Sequence, residues 1–247
     1  MDVEICINCD SEQPVAESVS AALQGGAARV ELCSAMHEDG LTPVYEKIAE
    51  ARKVFANREG VMVMIRPRAG DFCYSAQEIA EMHTQIQMAA SAGADGVVLG
   101  VLEKLDSSIA IDTLIGLMAT SNKFNLQTTF HRAFDAAPDP LTALKILKSA
   151  GMQRILTSGV PWRQKGTALD GKENLQKLIR ESGGAAEIVI GGGVNKANIV
   201  KILDSLPLRE NLVSLHAYSG AKIDGIVTVE AVRQLVAVAR EYKIKHT

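Results

Sequence analysis

The chain has 247 residues, 47% of them hydrophobic, with 4 cysteines and a formal net charge of -3 at pH 7. A chain of this length buries a large core without disulfide staples, and its mild negative charge offers no electrostatic footprint for nucleic acid. No run of roughly 18 apolar residues occurs, which excludes a spanning helix and a membrane partner. Met1-Asp2-Val3-Glu4 leads straight into a strand pattern and leaves no space for a signal peptide. A cytoplasmic protein with reduced thiols is therefore expected.

From the N-terminus onward, apolar strand-like runs fall at residues 3–7, 29–32, 61–66, 96–99, 125–130, 154–157, 187–190 and 212–215. Stretches with a helical period lie between them, among them residues 14–24, 45–55, 77–90, 141–148, 175–180, 197–203 and 229–242. Several end in small-residue stops such as Gly25-Gly26-Ala27 and Ala150-Gly151-Met152, where glycine permits a sharp return. Eight strand–helix units predict an α/β fold, a single TIM (β/α)8 barrel over residues 1–247. A doubly wound open sheet is the alternative. The strands read as aliphatic on both faces, as buried parallel strands do.

Two strands run into charge: one into Arg66-Pro67-Arg68-Ala69-Gly70-Asp71-Phe72, the other into His131-Arg132-Ala133-Phe134-Asp135. The carboxyl ends of parallel strands are where such folds hold ligands. Residues two apart share a strand face, so Glu4 aligns with Cys6, Glu31 with Cys33, and His216 with Ser214. A carboxylate inside an apolar barrel needs a partner. Glu4 and Glu31 are expected at the mouth, paired with Arg66, Arg68 or Arg132. The set reads either as a structural ion-pair plug or as a polar site for a small anion.

Cys6 and Cys33 then stand one pleat beyond the glutamates on strands about 4.8 Å apart, where two sulfurs can meet one ion. Thiolates select soft ions such as Cu(I) or zinc, and a pair suits a low-coordinate ion better than tetrahedral zinc. The alternative is two small side chains packed as hydrophobes. Cys6-Ile7-Asn8-Cys9 has the C-x-x-C form but leaves a strand instead of opening a helix, which weakens a redox reading. Further along, Thr157-Ser158-Gly159, Gly191-Gly192-Gly193 and His216-Ala217-Tyr218-Ser219 follow the last three strands. Their backbone N–H groups and hydroxyls suit an oxyanion; the plainer alternative is a tight turn.

Together these segments resemble the copper homeostasis protein CutC family. The likeness runs through Glu4-Ile5-Cys6, Arg29-Val30-Glu31-Leu32-Cys33, Gly40-Leu41-Thr42-Pro43, the stretch from Ile65 to Ser75, that from Thr129 to Asp135, Leu156-Thr157-Ser158-Gly159 and Gly191-Gly192-Gly193-Val194. The resemblance implies a cytoplasmic TIM barrel that forms homo-oligomers, a dimer first among them. Cys6 and Cys33 match the pair proposed to bind Cu(I) in the family, whereas Cys9 does not match a usual family cysteine. Ala28, Asp39 and Ala69 depart from the usual Asp, Gly and Gly. The expected function is copper homeostasis with Cu(I) on Cys6 and Cys33. The alternative is an enzyme acting on a small anionic, phosphorylated or carbohydrate-like metabolite. In that case Glu4, Glu31, Arg66 and His131 form the catalytic set. Arg68, Asp71, Arg132, Asp135, Ser158, Gly192, Gly193, His216 and Ser219 then hold the ligand.

Overall fold

A computed structural model of the chain describes residues 1–208 and 212–246, with side chains through Tyr242. Eight parallel strands close into a barrel in chain order. They are β1 (Val3–Asn8), β2 (Arg29–Cys33), β3 (Val61–Met64), β4 (Gly96–Leu99), β5 (Gln127–Phe130), β6 (Arg154–Thr157), β7 (Glu187–Ile190) and β8 (Val213–Ala217). The helices between and after them are α1 (Val15–Gly25), α2 (Tyr45–Phe55), α3 (Ala76–Ser91), α4 (Ile111–Lys123), α5 (Pro140–Ser149), α6 (Lys172–Ser182), α7 (Ile199–Leu203) and α8 (Val229–His246). Pairing of β8 back onto β1 excludes the open sheet. Among the described residues no helix is long and apolar enough to cross a membrane.

Local chemistry explains several boundaries. Ser75 and Glu78 form a reciprocal capping box that starts α3, and the Asp139 side chain caps α5 with Pro140 at its first turn. Gly26, at φ 92°, closes α1 in the left-handed region. Two elements escaped the sequence reading. α4 carries Gly116, Thr120 and Ser121 among its apolar residues, which blurs its period. After β8, β9 (Lys222–Ile223) and β10 (Ile226–Val227) form a small hairpin. Its turn is Asp224-Gly225, both at positive φ, as a two-residue hairpin turn demands.

Side chains on each strand alternate between the helical layer and the barrel interior. The outward set is aliphatic, with Val3, Ile5, Ile7, Val30, Leu32, Val61 and Val63 packed in the main core. The inward set is not. Cys6, Cys33, Met62, Met64 and Val98 form a separate small cluster, and Glu4, Glu31, Thr129 and Arg154 are buried in the same interior. The reading of strands aliphatic on both faces is thus corrected. Helices demand an apolar partner outside, while inside the barrel the side chains need only satisfy one another.

Candidate functional site

The interior is built in two layers. The lower one is ionic. Glu4, at the second position of β1, accepts from Arg154 Nη2 at 2.7 Å and Arg29 Nε at 3.2 Å, with His216 Nδ1 at 3.0 Å. Glu187 takes Arg29 Nη2 at 2.7 Å, and Thr129 Oγ1 takes Arg154 Nη1 at 3.0 Å. Arg154, His216 and Arg29 overcome burial and hold the Glu4 carboxyl well below the usual range. Glu4 therefore lies beneath the mouth and does not line its cavity. Its partners are Arg29 and Arg154, which begin their strands, and not the expected Arg66, Arg68 or Arg132. Register places Arg29 opposite Glu4 on β2.

The upper layer opens into a cavity of about 280 Å³. One wall is soft. Cys6 and Cys33 are both buried, with their sulfurs 3.9 Å apart, and Cys6 Sγ is also 3.9 Å from Met36 Sδ. One donor atom each from Cys6, Glu31 and Cys33 lies within 4.8 Å of the others. A β-carbon on Gly40 would stand 3.4 Å from Cys33 Sγ and 3.6 Å from Met36 Sδ, so the loop after β2 brings this thioether to the cysteine pair. Asp39, which departs from the family's usual glycine, sits beside it at φ 64°. Asp is among the residues that tolerate this region, and the position explains the glycine preference.

Protonation in this wall is uneven. The hydrogen bond with Cys33 and the nearby His216 bring the Cys6 thiol down to about 6 against burial. The same bond and burial push Cys33 well above the ordinary thiol range. Burial, with Cys6 and Glu4 nearby, raises Glu31 to about 8 although His216 pulls it down. Burial opposes charge on His216, yet Glu31, Cys6 and Glu4 hold it well above the ordinary imidazole range. The imidazole spans both glutamates, with Nε2 3.4 Å from Glu31 Oε2. The directions differ along the wall: Cys6 favours the thiolate, Cys33 the thiol and His216 the imidazolium, while burial opposes charge on the Glu31 carboxyl.

The opposite wall carries nitrogen donors. Arg66 is buried, its Nη1 donating to the carbonyls of Glu38 at 2.7 Å and Gly40 at 3.1 Å, its Nη2 to Gly70 at 3.0 Å. It stitches together the loops after β2 and β3. His131 accepts the Ala133 N–H at Nδ1, and its ring fits against Gly100, where a β-carbon would stand 2.5 Å from Nδ1. Burial and Arg66 bring His131 down to about 3, so it is neutral with its proton on Nε2. Arg132 Nε donates to Asp135 at 2.8 Å, Nη2 donates to Ser158 Oγ at 2.9 Å, and the guanidinium lies over Trp162. Asp135 also accepts Thr157 Oγ1 and both donors of Ser158. Asp135 and Ser158 thus form a buried brace for Arg132 and do not line the mouth cavity. Gly192, Gly193, His216 and Ser219 do line the cavity. Arg68 and Asp71 do not: Arg68 turns to Glu78 at 2.6 Å and Asp71 at 2.8 Å on the outer rim.

The family model for the CutC family matches residues 1–217. The chain belongs to the CutC family. A relative named family protein CutC from Bacteroides fragilis is 41% identical over 84% of this chain and 77% of its own length. The human protein named copper homeostasis protein cutC homolog is 38% identical over 82% of this chain and 68% of its own. A crystal structure of CutC from Streptococcus agalactiae superposes with a TM-score of 0.74 at 27% identity, covering 87% of this chain and 98% of that one. Copper homeostasis is the role that the names of the human and Streptococcus agalactiae proteins give those relatives.

Met36, Arg29, Arg154, Glu187 and Trp162 are the site residues that sequence reasoning missed. The charged starts of β2, β6 and β7 were a visible signal for three of them; nothing local marked Met36. The stagger of the cysteines has a chemical consequence. Cys6 pairs in register with Glu31, and Cys33 with Asn8. A lateral spacing of about 4.8 Å and a two-residue rise of about 6.6 Å put their Cα atoms about 8 Å apart, beyond the roughly 7 Å a disulfide bridges. The sulfurs can share an ion but not a covalent bond. Diamide treatment followed by mass spectrometry of the native protein should show no Cys6–Cys33 crosslink; its rapid formation would contradict the stagger.

Proposed function

We propose that this CutC-family chain binds Cu(I) at its barrel mouth through Cys6 and Cys33, with Met36 as a third soft donor. The observation that carries the reading is the pair of 3.9 Å sulfur contacts made by Cys6. Three sulfurs around one ion at metal–sulfur bonds of about 2.3 Å would stand about 4.0 Å apart. Sulfur-only donors select Cu(I) over hard cations, and a Cys6 thiolate already present at neutral pH lowers the proton cost of binding. The copper-homeostasis names of the relatives support the same reading and do not favour the enzyme alternative. The proposal includes a cytoplasmic setting, supported by four free cysteines, and a homodimer, supported by the family resemblance.

Anaerobic competition with a chromogenic Cu(I) chelator tests it. Loss of an outer partner costs a metal site roughly 10–100-fold; Cys6→Ser and Cys33→Ser, which remove ligands, should each cost more. Met36→Leu should weaken binding by about tenfold. Cys9→Ser should leave the affinity unchanged, because Cys9 packs in the outer core. Wild-type affinity in either Cys6→Ser or Cys33→Ser would refute the site.

A further inference from the structure

The soft wall accounts for copper and leaves the nitrogen wall without a task. That wall contains an imbalance. Arg66 is 2% exposed, and no carboxylate among the described residues pairs with it. Its guanidinium rests on three carbonyls and on the Phe72 ring, Cζ 5.1 Å from the centroid. Carbonyl dipoles satisfy its N–H groups but do not neutralise it, and a buried charge without a counter-charge is costly.

Unused donors surround the same ring. The His131 and Trp162 rings lie 5.0 Å and 5.1 Å from Phe72, centroid to centroid. Arg66 Nε, His131 Nε2 and Trp162 Nε1 are buried and have no hydrogen-bond partner among the described residues. All three residues line the mouth cavity. Buried donors are rarely left open without a reason. On the adjoining rim Gly192 (φ 90°) and Gly193 (φ 77°) follow β7, and their N–H groups have no acceptor among the described residues. Arg132, on the same cavity, engages Nε and Nη2 and has no partner for Nη1 among the described residues. Every group on this wall offers a proton or positive charge. Water could satisfy the donors but brings no charge to Arg66.

We infer that the barrel mouth binds a small organic oxyanion, a carboxylate or a phosphate monoester. Its acidic head takes the free N–H groups of His131 and Trp162 within the field of Arg66, and the glycine turn after β7 closes the outer side. This ligand is distinct from the metal, since the nitrogen wall contributes no soft donor and the sulfur wall no cation except His216. The cavity holds both, so a second ligand can sit over a loaded metal site.

Metal-free protein isolates the claim from copper. Inorganic phosphate and acetate serve as probes for the two head groups, with chloride at matched ionic strength as control. At least one oxyanion should raise the melting temperature by several degrees over chloride, with a saturating dependence on concentration. Trp162→Phe keeps the ring against Phe72 and deletes only the N–H; it should weaken that response about tenfold, as loss of a hydrogen bond to an anion does. His131→Phe should do the same. Cys9→Ser should retain the full response, because Cys9 packs in the outer core away from the cavity. Equal shifts in all three salts, or wild-type responses in both Trp162→Phe and His131→Phe, would overturn the inference.

Discussion

Glu4→Leu should lower the thermal unfolding midpoint by roughly 6–20 °C. Glu4 is 1% exposed and collects Arg154, Arg29 and His216. Its removal leaves these cations with Glu187 and the exposed Asp2 as the remaining carboxylate partners of the two arginines. Breaking a buried pair by deleting one partner costs about 3–5 kcal/mol, and each kcal/mol moves the midpoint of a domain this size by about 2–4 °C. Asp2 offers an internal control. It meets the same Arg29, at 3.4 Å, but its side chain is 60% exposed. Asp2→Ala should therefore change stability by less than about 1 kcal/mol. Calorimetry of both variants, with chelator present, decides. A Glu4→Leu midpoint within a degree or two of Asp2→Ala would show that the lower layer is not an energetic hub. Glu4→Leu should also weaken Cu(I) binding, because His216 loses the acceptor that holds it beside Cys6.

Cu(I) affinity should rise tenfold per pH unit between about pH 6.5 and 8, and steepen toward a hundredfold per unit below pH 6. Metal displaces protons from thiols, so each proton still bound in the free site adds one power of ten per pH unit. Two cysteines with ordinary thiols would give a slope of two across this whole range. Here Cys6 falls to about 6 and has already lost its proton above that pH. Cys33 is raised well above the ordinary value, so its single proton leaves on binding throughout the window. The slope is then one above pH 6, and two where Cys6 is protonated again. His216→Phe removes a cation that favours the Cys6 thiolate. That variant should bind more weakly at pH 7 and show a slope near two there. Competition titrations corrected for the chelator's own protonation measure both slopes. A wild-type slope of two at pH 7 would mean that both cysteines are thiols in the free protein.

The strand–helix alternation was legible because it depends on local periods. Residues 96–99, 154–157 and 187–190 alternate with helical stretches whatever the rest of the chain does, and the structure keeps those strand bounds. The sharing of one face by Glu4 and Cys6, and by Glu31 and Cys33, followed from the two-residue repeat of a strand. Asp224-Gly225 was an available hairpin signal that went unread.

Partners were another matter. Glu4 meets Arg154 150 residues away and His216 212 residues away, through closure of the barrel. Pattern alone placed Glu4 at the mouth with Arg66, Arg68 or Arg132 as its partner. Register and closure put it one layer down, turned Arg68 out to Glu78, and left Arg66 to carbonyls and Phe72. Met36 reached the cysteines through a loop with left-handed residues at Ala35 and Asp39, which no periodicity encodes. By itself, the sequence determined the barrel, its family and the two cysteines, because period and residue type are local properties. Only the tertiary structure decided which charges neutralise each other, which donors stay free and which thiol ionises, because these depend on distances between residues far apart in the chain.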